Sequence, residues 1–291
     1  MKYFWFSLMF LGIFVVMLGA FTRLVDAGLG CPDWPTCFGY WSLSSAVKNA
    51  DQAMKNYQMV FDFSKAWPEM YHRYIAGVFG GLIIVASIFF ERGSKLCRWA
   101  LVGLVLFQAT LGMWTVTWKL HPLVVMLHLL GGMLLTSGCL WMGLKASMLQ
   151  RDQLCQLRKP LLLLGFLLMN QILLGGWTSA NYASMVCYDF PWCVAKTIPT
   201  LNWFDAFNLW LPIGQNYEGG HMDFSARVTV HMLHRFLALM VVISLGWVTY
   251  RWYSLTRRPL SKIWAVMWLL VLAQISLGIL NVLGGLPLAV A

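Results

Sequence analysis

The chain has 291 residues, 59% hydrophobic and 11% charged, with a formal net charge of +10 and a mean hydropathy of +0.67. Soluble domains carry roughly 25% charged residues, so the composition excludes a water-soluble fold and predicts an all-α integral membrane protein. The basic balance is not a nucleic-acid signature, because no basic stripe with interleaved aromatics accompanies it.

Seven apolar runs approach or exceed the length of about 20 residues that a bilayer requires. The first, Phe4–Leu24, is followed by no small-residue cleavage site, which excludes a signal peptide. It carries Gly19-Ala20-Phe21-Thr22 near its end. A long segment, Asp26–Tyr71, follows with the motif Cys31-Pro32-Asp33-Trp34-Pro35-Thr36-Cys37. Glu69 and the pair His72-Arg73 lead into the second run, Tyr74–Phe90, which the pair is expected to open. The third run, Trp99–Trp118, contains Gln108-Ala109-Thr110-Leu111-Gly112. His121-Pro122 then introduces the fourth, Leu123–Leu144, with His128 about two turns in.

After a basic linker the pattern starts again. The fifth run, Leu161–Ala180, carries Gly175-Gly176-Trp177-Thr178, and Cys187-Tyr188-Asp189-Phe190-Pro191-Trp192-Cys193 follows in the segment Asn181–Thr229. Both features stand at an offset of 156 from their first copies. His234-Arg235 repeats His72-Arg73 at an offset of 162, in the sixth run, Val230–Tyr250. Gln274-Ile275-Ser276-Leu277-Gly278 in the seventh, Ile263–Leu283, repeats the Gln108 motif at 166. Leu286-Pro287-Leu288 matches His121-Pro122-Leu123 at 165. A duplicated chain implies two similar half-molecules. The reading is an eight-helix design of two pseudo-symmetric four-helix bundles, with seven complete transmembrane helices and an eighth expected to be truncated. The expected division is 1–145, a linker 146–160, and 161–291, which stops before the counterpart of His128.

Charge sets the orientation. With the N-terminus in the cytoplasm, the cytoplasmic segments hold twelve of the 21 basic residues and only Glu91 and Asp152 of the acidic ones. This is a strong positive-inside bias. Both cysteine loops then lie outside, in an oxidising compartment if the host has a periplasm. Cys31 with Cys37, and Cys187 with Cys193, are disulfide candidates. Pairs of free thiols are the alternative, and a metal site is disfavoured because neither loop adds a histidine. Cys97, Cys139 and Cys155 are expected to be reduced.

His72 and His128 enter the membrane from the same side and are expected at similar depth. Paired imidazoles on facing helices are what a bis-histidine haem requires. In the second half only His234 has a counterpart within the sequence, and its partner is expected beyond Ala291. His231 is three residues away on the same helix and cannot ligate the opposite face of one iron. Glu69 stands where the second half has His231, so only the first half has a carboxylate beside its histidine. Such a group serves either as a solvated helix-start residue or as a proton acceptor at a reaction site. Arg73 and Arg235 are candidates to meet haem propionates, against plain headgroup-snorkelling arginines. Arg23 is a weaker candidate, since its counterpart is Ser179.

The run Gly19–Leu24, the stretch Gly28-Leu29-Gly30 leading into the first cysteine motif, Glu69-x-x-His72-Arg73 and the His128 helix together resemble the haem A synthase (CtaA) family along essentially the whole chain. The resemblance implies an enzyme that oxidises a ring methyl of haem O to a formyl, by successive hydroxylations, for cytochrome oxidase assembly. It implies haem O, delivered by haem O synthase, in the first half between His72 and His128, with Glu69 as the catalytic carboxylate. It implies haem b in the second half, with His234 as one ligand. It places the protein in the inner (plasma) membrane, in contact with lipid, and a homo-oligomer stays open. A membrane di-haem b-type electron-transfer cytochrome would also explain the histidines and the duplication, though not Glu69 in one half alone. A transporter built from parallel repeats would want broken helices around a midplane site.

Overall fold

The computed structural model describes residues 2–89, 94–144, 151–256 and 262–285, without the side chains of 151–156. Helices dominate: α1 (Lys2–Leu24), the short α2 (Leu43–Lys48) and α3 (Ala50–Tyr57), α4 (Phe63–Phe89), α5 (Lys95–Thr117), α6 (Pro122–Gly143), α7 (Arg151–Ala180), the four-residue α8 (Trp203–Ala206), α9 (Phe224–Thr256) and α10 (Lys262–Leu283). Among the described residues seven helices, α1, α4, α5, α6, α7, α9 and α10, are long and apolar enough to cross a membrane. The protein is an all-α, multi-pass membrane protein. The expected start of an eighth helix, with Arg92, Lys145, Arg257 and Arg258, lies outside the described residues.

The helices outrun the apolar runs that predicted them. His72 and His234 therefore sit well inside α4 and α9 rather than opening them. The cause lies in matching caps, Asp62-Phe63-Ser64 and Asp223-Phe224-Ser225. Asp62 Oδ1 accepts the Ser64 N–H at 2.9 Å and its hydroxyl at 2.6 Å. Asp223 Oδ1 accepts the Ala226 N–H at 2.7 Å and Oδ2 the Ser225 hydroxyl at 3.0 Å. Capping carboxylates occupy the orphan donors of a first turn. The Ser64 hydrogen bond holds the Asp62 carboxyl below the usual range, and the Ala226 N–H does the same for Asp223. A folded-state value below the unfolded one stabilises the fold above the unfolded pKa, and the gain is lost as pH falls through the folded value. Asp223→Ala is therefore expected to lower the thermal midpoint at neutral pH and to match the parent at low pH. A gap that persists in acid would contradict the cap.

The chain divides into two compact units. One is Met1–Ala146 with Trp210–Glu218; the other is Ser147–Leu209 with Gly219–Ala291. The strip 210–218 thus packs with the first unit, where the sequence had placed it in the second half. In the first unit α1 and α5 each pack against both α4 and α6, closing a four-helix ring. Its core is Trp5, Leu8, Val15, Phe79, Ile83, Leu101, Leu135 and Met142. In the second unit α7 lies along α9, over a cluster of Leu164, Val241, Leu245 and Val248. α10 touches α9 and has no buried residue.

Candidate functional site

In the first unit α4 presents Glu69, His72 and Arg73 on one face, three and four residues apart. Glu69 is 4% exposed. Its Oε2 accepts the Cys31 N–H at 2.9 Å, and its Oε1 pairs with Arg73 Nη2. Arg73 Nη1 donates to the carbonyls of Asp33 at 2.8 Å and Thr36 at 2.6 Å. Asp33 itself accepts the Phe38 N–H at 2.6 Å, the Gly39 N–H at 2.9 Å and the Thr36 hydroxyl. The Cys31–Cys37 disulfide closes the loop and rests on Ala66 and Met70 of α4. The motif is therefore one hydrogen-bonded unit. Asp33 folds the loop, the disulfide closes it, and Arg73 fastens it to the helix that carries Glu69. Tyr57 lies 3.4 Å from Asp33 Oδ2, and burial, then the Asp33 charge, raises its phenol pKa.

The second unit repeats this clasp. Arg235 Nη1 donates to the carbonyls of Asp189 at 2.9 Å and Trp192 at 2.5 Å, the repeat positions of Asp33 and Thr36. Its guanidinium lies 5.7 Å over the Phe190 ring, and its Nη2 is buried without a hydrogen bond. The Cys187–Cys193 disulfide rests on Val228, with Met232 packed beside it, at the repeat positions of Ala66 and Met70. At the position of Glu69, buried His231 meets the Ala183 carbonyl through Nδ1 at 2.8 Å. Both arginines face their loops, a role the sequence did not suggest. Arg23 pairs with Asp26 at 3.2 Å.

His72 and His128 face one another, with ring centroids 6.4 Å apart and planes at 82°. Metal–nitrogen bonds of about 2.0–2.1 Å put two imidazoles on opposite sides of one iron at a centroid separation of about 6 Å. The pair fits a bis-histidine iron. Nδ1 of each ring is buried without a hydrogen-bond partner, as is that of His234. Glycines seat the rings: a Cβ on Gly19 would lie 2.9 Å from His72 Cε1, and one on Gly112 would lie 3.2 Å from His128 Cε1. Gly175 stands to His234 as Gly19 does to His72, at 3.2 Å. Gln108 holds the His128 segment by donating to the His128 carbonyl at 2.7 Å.

One residue beside these histidines escaped the sequence reading. Gln171 occupies the repeat position of Val15, and its Nε2 lies 3.3 Å from His234 Nε2. The signal was there, as a polar residue one turn before Gly175 in an apolar run.

Residues 2–291 match the sequence model of the COX15-CtaA family, described as cytochrome oxidase assembly protein. The chain belongs to this family. It is 40% identical to the heme A synthase of Shewanella oneidensis, over 96% of this chain and 86% of that protein. The heme A synthases of Methylobacterium radiotolerans and Maricaulis maris are each 26% identical to it. They align over 94% and 95% of this chain, and over 79% and 85% of their own lengths.

Proposed function

We propose that this chain is a haem A synthase, an oxidoreductase that converts a ring methyl of haem O to a formyl for cytochrome oxidase assembly. The observation that carries the reading is the facing pair His72–His128 with buried Glu69 one helical turn from His72. The 40% identity to a heme A synthase supports it.

In this reading the first half is the reaction site. His72 and His128 hold the iron of haem O. Glu69 accepts a proton from the reacting edge, a task suited to a carboxylate fixed in a dry site. Arg73 and the Cys31 N–H hold that carboxylate in place. The disulfide loop keeps water from it. Lipid-facing helices would allow lateral entry of the substrate's isoprenoid tail.

In the second half His234 would be one ligand of haem b, which would supply one-electron exchange when bound. Arg235 Nη2, buried and unpaired, is the donor left for a propionate, whereas both terminal nitrogens of Arg73 are taken. The positive-inside bias favours a cytoplasmic N-terminus and cysteine loops on the outer side of the membrane; a haem O substrate in turn calls for haem O synthase as its supplier. A di-haem electron-transfer cytochrome would need the carboxylate only to tie the loop to α4, which the second half does without one.

Two experiments bear on this. Pigments extracted from cells that express the chain with haem O synthase should contain haem A; haem O and haem B alone would reject the function. Gly19→Val should push the His72 ring aside and deplete the first-half haem, because the Cβ alone would sit 2.9 Å from Cε1. An unchanged absorption spectrum would contradict that seat.

A further inference from the structure

The strip Trp210–Glu218 lies between α8 and α9 in the chain, yet packs with the first unit. Its seat is specific. The Tyr217 N–H donates to the Lys119 carbonyl at 3.1 Å. The Tyr217 ring, 1% exposed, meets His121 edge-on at 5.3 Å, and its hydroxyl donates to the Pro212 carbonyl at 2.7 Å. His121 Nε2 lies 3.4 Å from the Leu211 carbonyl. Lys65 and Glu218 pair at 3.1 Å; both are half-exposed, so this pair contributes little.

The strap grips the turn between α5 and α6. Lys119 and Leu120 both have positive φ, 48° and 60°, a conformation that costs free energy for residues other than glycine. Tyr217 takes the Lys119 carbonyl, and His121 is the first residue after that strained pair. Trp118 lies 6.0 Å from His121 and stacks on Trp114 at 4.7 Å. His121 is the N-cap residue of α6 and precedes His128 by seven residues, about 10 Å at 1.5 Å per residue. Gly112, which seats the His128 ring, precedes the turn on α5. The turn therefore sets how the glycine meets the imidazole.

We infer that Tyr217 and His121 are positioning residues for the first-half site. The strap fixes the α5–α6 turn and, through it, the fit of His128 against Gly112. This rests on the proposed ligation by His72 and His128. It makes that site depend on a strip of chain from beyond the first four membrane helices.

Transfer of ferric haem from the whole protein to apomyoglobin, followed by absorbance, tests the inference. His128→Ala marks which component belongs to the first half. Tyr217→Ala should speed release of that component by about ten-fold, the scale of a lost buried aromatic pair, and leave the other component unchanged. Tyr217→Phe, which keeps the ring, should stay close to the parent. The double variant Lys65→Cys/Glu218→Cys, bridged by a short bis-maleimide, should release the same component more slowly than singly labelled protein. Unchanged release in Tyr217→Ala, or equal acceleration of both components, would overturn the inference. If Tyr217→Ala does not fold, an unaltered rate in the bridged protein overturns it. A His128→Ala protein that loses no component would instead reject the ligand reading and take this inference with it.

Discussion

Glu69→Gln is expected to leave both haem spectra intact and to lower haem A formation by about two to four powers of ten, the usual contribution of a positioned proton acceptor. Glutamine is the informative replacement. Its amide oxygen can still accept the Cys31 N–H, so the loop stays seated. Both Gln and Ala remove the charge paired with Arg73, and breaking a buried pair costs about 3–5 kcal/mol, but Glu69→Ala also removes the acceptor for the Cys31 N–H and so confounds the test further. If Glu69 only tied down the loop, Gln would retain nearly full activity, and that result would remove its catalytic role.

His128→Ala is expected to abolish first-half haem binding. Residues that merely support a metal ligand cost about 10–100-fold in affinity when lost, so removal of the ligand should exceed that. The haem-to-protein ratio of purified protein measures it. His72→Ala should do the same, since in the proposed site the two facing rings share one iron. His234→Ala should instead remove the second-half component. A normal first-half signal in either His72→Ala or His128→Ala would break the pairing on which the site is built.

The seven helices were legible because each is an apolar run of bilayer length, and the repeat was legible because its motifs keep nearly constant offsets. Helix starts were not, because Asp62 and Asp223 lie outside the apolar runs and the polar first turns read as loop. The duplicated Asp-Phe-Ser triplet was available as a signal. The His72–His128 pairing followed from depth, since the two enter from the same boundary. The partners of Arg73 and Arg235 were hidden for a physical reason. At the loop end of a membrane helix a guanidinium finds loop carbonyls as readily as carboxylates, and the spacing to the cysteine motif does not choose between them. The strap was illegible altogether: Tyr217 meets Lys119 and His121 across nearly a hundred residues, with no periodic pattern to announce it.

In the proposed enzyme the two halves divide the labour, with substrate haem in the first and haem b in the second. Mass spectrometry of the haem retained by His72→Ala/His128→Ala protein, purified from cells that make haem O, tests it most directly. The expected result is haem b alone. Haem O or haem A in that protein would refute this division between the halves.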